Sequence, residues 1–142
     1  MALVKIAEAL EKRITAFAAS KSLPVVFENA PGTAPTTDYI KVTDIAMETS
    51  DPSLGTSHQR YVGGIRLQYL SLQVGKGTRF LKQWQQDALA YFPRGLKLVE
   101  GDVTVNIIST GQPKLPGYET KFVYVTVDFV YRVDVIQNPT VS

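Results

Sequence analysis

Residues Phe122 to Val135 read FVYVTVDFVYRVDV and alternate almost without fault. Val123, Val125, Val127, Phe129, Tyr131, Val133 and Val135 fall on one face. Phe122, Tyr124, Thr126, Asp128, Val130, Arg132 and Asp134 fall on the other. Period-two alternation of β-branched and aromatic residues is the pattern of a β-strand. At ~3.3 Å per residue such a strand reaches ~45 Å. A compact domain of this size is roughly 37 Å across. The strand is as long as the domain that must hold it. Either it bends or coils as a long central strand, or one end leaves the core to meet another molecule.

Working outward, the preceding stretch Thr110 to Thr120 is a turn-rich loop of Gly, Pro and Thr. Gln137 to Ser142 form a polar tail. Upstream, Leu96 to Leu98 and Val103 to Ile108 are short strands. Before them, Gly75-Lys76-Gly77 is a turn, and Thr78 stands as the N-cap of a helix over Arg79 to Tyr91. That helix has Phe80, Leu81, Trp84, Ala88, Leu89 and Phe92 on its apolar side, and Pro93 ends it. Arg60 to Val74 is a strand whose alternation changes phase, from Ile65, Leu67 and Tyr69 to Leu70, Leu72 and Val74. A one-residue slip flips every side chain, which predicts a bulge or bend near Tyr69-Leu70, with a further kink at Gly63-Gly64. Glu48 to Gln59 is polar and turn-rich, the expected flexible loop of a long hairpin with Tyr39 to Met47. Asn29 to Thr37 is another loop, Val25 to Phe27 a short strand. Residues 2–20 form an amphipathic helix with Leu3, Ile6, Ala7, Leu10, Ile14 and Phe17 on one side. Strands in runs with two helices predict an α+β domain, a mostly antiparallel sheet with both helices on one face.

The chain of 142 residues suits one domain spanning 1–142. Hydrophobic content of 44% and charged content of 20% are globular values. Net charge is +2 with no basic stripe, which gives no support to sequence-independent nucleic-acid binding. Cysteine is absent, so disulfides, thiol chemistry and thiolate zinc sites are excluded. No segment reads as a signal peptide or a membrane span, and a protein made in a reducing cytoplasm is expected.

The residues assemble no catalytic set, no metal site and no cofactor site. His58 is the one histidine, in a polar stretch without partners at ligand or triad spacing. Gly75-Lys76-Gly77-Thr78 fails as a phosphate loop, since Leu70 stands where its first glycine belongs and Gly77 where Ser or Thr must follow the lysine. Glu100-Gly101-Asp102 is an acidic turn, open to a cation or simply solvated. Tyr124, Asp128 and Arg132 share the polar face of the long strand. Charges beside aromatics there suit a subunit interface as well as a solvated face. Leu115 and Tyr118, apolar groups on a Pro/Gly loop, are candidates for a contact site.

The succession PVVFEN, YIKVTDIAM, SLGTSHQRYVGGIRLQYLSLQVGKGT and a helix ending in YFPRG resembles the tail terminator and minor tail protein family of long-tailed bacteriophages, over about residues 3–135. The pieces that carry it are Leu54-Gly55, Arg60-Tyr61-Val62-Gly63 and Gly75-Lys76-Gly77. The resemblance implies a structural, non-enzymatic virion protein of the neck-proximal tail, assembled in the host cytoplasm. Such a protein would form a homo-oligomeric, hexameric ring on the last ring of tail-tube protein, stop tube growth and receive the head–tail connector. DNA would only pass through its lumen. Interface candidates are Asp51, Leu54, Arg60, Tyr61, Leu115, Tyr118, Tyr124, Asp128 and Arg132. A neck connector or a tail-tube subunit is the alternative. A small enzyme or ligand-binding domain, with a cleft between the second helix and the sheet, is a third.

Overall fold

The computed structural model describes residues 2–27, 35–50, 58–73, 75–111, 114–118 and 121–136. Helix α1 (Ala2–Ser20) is followed by β1 (Val25–Phe27), β2 (Tyr39–Ser50) and β3 (His58–Ser71). Helix α2 (Arg79–Tyr91), β4 (Lys97–Glu100), β5 (Val103–Thr110), β6 (Gly117–Tyr118) and β7 (Val123–Ile136) complete the chain. The sheet runs β1-β2-β3-β7-β5-β4, with β6 also paired to β7. All pairings are antiparallel except β1 with β2. The architecture is the expected α+β one.

Alternation decides which face is core. Val123, Val125, Val127, Phe129, Tyr131 and Val133 of β7 are buried, as are Ile65, Leu67 and Tyr69 of β3 and Val103, Val105 and Ile107 of β5. Both helices cover this face. Phe17 of α1 meets Trp84 at 5.5 Å between ring centroids and Phe92 at 6.3 Å. Phe92 in turn stacks on Phe129 at 4.5 Å. Arg13 lies over the Tyr91 ring at 3.8 Å and donates twice to the Tyr91 carbonyl, which locks α1 beside the end of α2. Alongside Arg13, α1 is tied to the end of β4 and the β4–β5 turn by ion pairs of Lys12 with Glu100 and Lys5 with Asp102. The acidic turn thus serves as an anchor for α1.

The predicted bulge at Tyr69-Leu70 is not there. β3 pairs without a break from His58↔Ile136 to Ser71↔Val123. The phase change arises because the strand ends: Ser71 is fully buried on the core face, Leu70 lies on the opposite face, and Leu72 is exposed beyond the strand. The Leu72 N–H leaves the ladder and donates to the Asp38 carboxylate at 2.9 Å. The irregularity sits instead in β2, between Ile45 and Glu48, opposite Gly64 and Val62. The expected kink at Gly63-Gly64 therefore coincides with a bulge in the partner strand. A second shift lies in β5 between Ile107 and Ser109.

Further boundaries differ, β4 among them, which spans Lys97–Glu100. β2 runs on to Ser50 and β3 begins at His58, so Glu48 and Gln59 are strand and not loop. His58 pairs with Ile136 and is not a loop residue. Residues 51–57 of that hairpin and 28–34 of the earlier loop lie outside the described residues, as does the tail 137–142. The 110–120 loop contains the two-residue strand β6, too short to show as alternation. Thr78 caps α2 in position only, for its hydroxyl makes no cap hydrogen bond.

Candidate subunit interface

The long strand settles where the candidate residues fall. β3 runs along one edge of β7 for its whole length, while β5 leaves the other edge after Val133. At this end Glu48–Ser50, His58–Val62 and Arg132–Ile136 continue as a three-stranded arm. Arg60 and Asp134 face each other on its outer side, with Nε donating to the carboxylate at 2.8 Å, and Arg132 approaches Asp134 at 3.3 Å. Tyr61 lies on the core side of the arm, half-buried, its phenol donating to Gln59 Oε1 at 3.0 Å. Arg60 and Arg132 thereby share the outer face of the arm, and Tyr61 stands on its opposite face. Asp51 and Leu54 lie outside the described residues.

In the middle of the outer face, Asp128 accepts two hydrogen bonds from Arg66, at 2.8 and 3.1 Å, and one from Lys114 at 3.0 Å. The Arg66 guanidinium holds the Asp128 carboxyl below the usual carboxylate range against its partial burial, with help from Lys114. This group joins β3, β7 and the segment leading to β6.

At the far end stand Leu115 and Tyr118, 88% and 64% exposed. β6 pairs with β7 on the edge that β5 has left, Gly117 opposite Tyr124. A Cβ on Gly117 would stand 2.2 Å from the Tyr124 ring, so only glycine lets the segment lie flat on that ring. Gln85 of α2 donates to the carbonyls of Lys114 and Thr126, at 2.9 and 3.0 Å. Tyr124 is thus the bed under the apolar tip. Between Tyr124 and Asp134 the strand rises about 33 Å. Apart from Asp128 at mid-strand, the described candidates divide into a polar arm and an apolar tip at opposite ends of one strand.

Sequence reasoning passed over Asp38. Its carboxylate accepts from the Leu72 N–H, the Tyr69 hydroxyl at 2.8 Å, the Ser71 hydroxyl at 2.9 Å and the Gln73 amide at 3.1 Å. Partial burial opposes its charge, but these four bonds prevail and the carboxyl is held low. Burial first, and then this carboxylate, push the Tyr69 phenol up to about 12. Asp38 closes the start of β2 onto the end of β3; nothing in local spacing marks a carboxylate that collects donors from a segment over thirty residues away.

One cleft near α2 has a volume of about 440 Å³ and is lined by Leu89, Pro93, Arg94 and Ile108–Gly111; another, of about 300 Å³ between α2 and Tyr69, has lysines as its charged residues. Arg94 is the single charged residue of the first and no carboxylate lines the second, so neither offers an acid–base pair. Among the described residues no three His, Asp or Glu side chains gather as metal ligands.

What the fold and these surfaces define is a small α+β protein with unlike patches at its two ends. The chain belongs to the phage tail terminator protein family, whose model matches residues 5–131. It is a structural protein of a phage tail. One solved structure shares 26% identity and superposes with a TM-score of 0.72, covering 94% of this chain and 96% of that one. A chain from the virion of a native gene transfer agent particle is 17% identical, with a TM-score of 0.55, covering 89% and 90%, and shares the fold. A search of the curated proteins found no match.

Proposed function

We propose that this chain closes the neck-proximal end of the tail tube as a ring of its own copies, about six in number. The ring ends tube growth and gives the head–tail connector its docking surface, and it is built in the host cytoplasm. The observation that carries this reading is the separation of a polar arm and an apolar tip to opposite ends of β7. Identical subunits close a ring only head to tail, through two unlike patches, and need further surfaces above and below for other partners. The tip serves the lateral contact, and the arm serves the tube or the connector. The modest net charge suits a lumen that lets DNA pass without holding it.

The test is mass in solution across a concentration series, with electron microscopy of the same sample, alone and with tail tubes. Closed rings, alone or capping tubes, are expected. Open-ended tubes grown from this chain alone would make it a tube subunit and overturn the reading. So would a monomer that stays off tail tubes. Leu115→Ala with Tyr118→Ala should weaken assembly and leave the thermal midpoint nearly unchanged, since both side chains are exposed.

A further inference from the structure

A groove runs along α1 on the side away from β4. Its lining includes Leu3, Ala7, Leu10, Asp44, Ile45 and Tyr131. Its main volume is about 430 Å³, and it continues past Ala7 and Leu10 to Phe27 and Glu11. It exists because α1 lies towards β4 and β5, where Lys5 pairs with Asp102 and Lys12 with Glu100, leaving the Asp44–Ile45 end of β2 exposed. Leu3 and Ile45 at its mouth are 50% and 39% exposed. Its charged lining consists of two carboxylates, Glu11 and Asp44.

We infer that this groove receives the Leu115–Tyr118 tip of the next copy, which makes it the socket of the lateral contact; the inference rests on the ring reading above. Position supports it. The groove is on the β2 flank of the sheet, whereas the tip lies on the other flank, beyond β7. Two complementary patches on opposite flanks are what a head-to-tail contact needs. Size and polarity agree: a leucine and a tyrosine, both exposed, meet an apolar trough of side-chain dimensions. Charge agrees too. Lys121 follows the tip and Lys114, engaged with Asp128, precedes it, with Glu119 the one acid in that stretch, while Glu11 and Asp44 line the trough. The Tyr118 phenol is a donor for the Glu11 carboxylate. The tip is also held ready, because Gly117 lies on Tyr124 and Gln85 ties down the Lys114 carbonyl.

The chain has no cysteine, so single thiols can be placed at will. Ile45→Cys and Tyr118→Cys proteins would be mixed, under the conditions that assemble the unmodified chain, with a short bis-maleimide. The expected product is a dimer joining one variant to the other, and a ladder when both changes are in one chain. Separately, Leu115→Asp should weaken self-association about tenfold or more, the scale of a lost anchor. Rings that form without the mixed cross-link, or Tyr118→Cys copies joining mainly each other, would overturn the socket and leave the ring intact. Cross-linked open chains would keep the socket and remove the ring. A chain that never self-associates, even on tail tubes, removes both.

Discussion

Gly63 and Tyr131 are directly paired across β3 and β7, and the Tyr131 ring lies over Gly63, so that a Cβ there would stand 2.6 Å from the phenol oxygen. Tyr131 is 3% exposed and cannot swing aside freely. Gly63→Ala is therefore expected to destabilise the fold by about 1–3 kcal/mol through overpacking. The urea midpoint should fall with an unchanged slope. Adding Tyr131→Leu should return part of the loss, because the ring that blocks the methyl is gone.

Asp38 gives the fold an acid dependence. Its folded-state pKa is depressed, so its stabilisation is complete above the ordinary carboxylate range and is lost as pH falls through the folded value. The affected window is below about pH 4. Asp38→Asn leaves several donors without a charged acceptor and should cost about 2–3 kcal/mol at neutral pH. It should also flatten the acid limb of a plot of stability against pH. An unchanged acid limb would remove Asp38 from this role.

The Arg66–Asp128–Lys114 group lies on a half-exposed face, where screening limits its worth. Arg66→Ala should cost about 1 kcal/mol or less, and the loss should shrink in high salt. The sign with pH matches that of Asp38, since the Asp128 carboxyl is also held low. Denaturant midpoints at low and high salt measure it.

Trp84 is 3% exposed, with Tyr69 at 5.4 Å and Phe17 at 5.5 Å between centroids. Trp84→Ala should cost about 3–5 kcal/mol. Its indole N–H finds no partner among the described residues, so Trp84→Phe removes a buried donor along with volume. That exchange should cost well under half as much. As the one tryptophan in the chain, Trp84 should resist fluorescence quenching until the core opens.

Much of the fold was legible because its longest elements repeat their period many times. β7 alternates from Val123 to Val133, and α1 and α2 keep apolar residues at helical spacing. Such patterns report a buried face whatever covers it. β6 has two residues and no period to read. The bulge was misplaced because a phase change in one strand looks the same whether the ladder slips or the strand ends; only the pairing of Ser71 with Val123 separates the two. Leu115 and Tyr118 stood out as apolar residues in a Pro/Gly setting, and they are exposed. The groove left no local trace. Its lining comes from α1, β2 and β7, and the apolar residues among it read alone as ordinary core.

By itself, the sequence determined the class of the fold, the face of each long element that is buried and the absence of thiol chemistry, since these follow from period and residue type along the chain. Only the tertiary structure decided that Asp38 collects four donors, that Gly63 makes room for Tyr131, and that α1 stands towards β4 and leaves a trough beside β2. Those facts depend on residues far apart in the chain meeting in space, and local preference carries no information about such meetings.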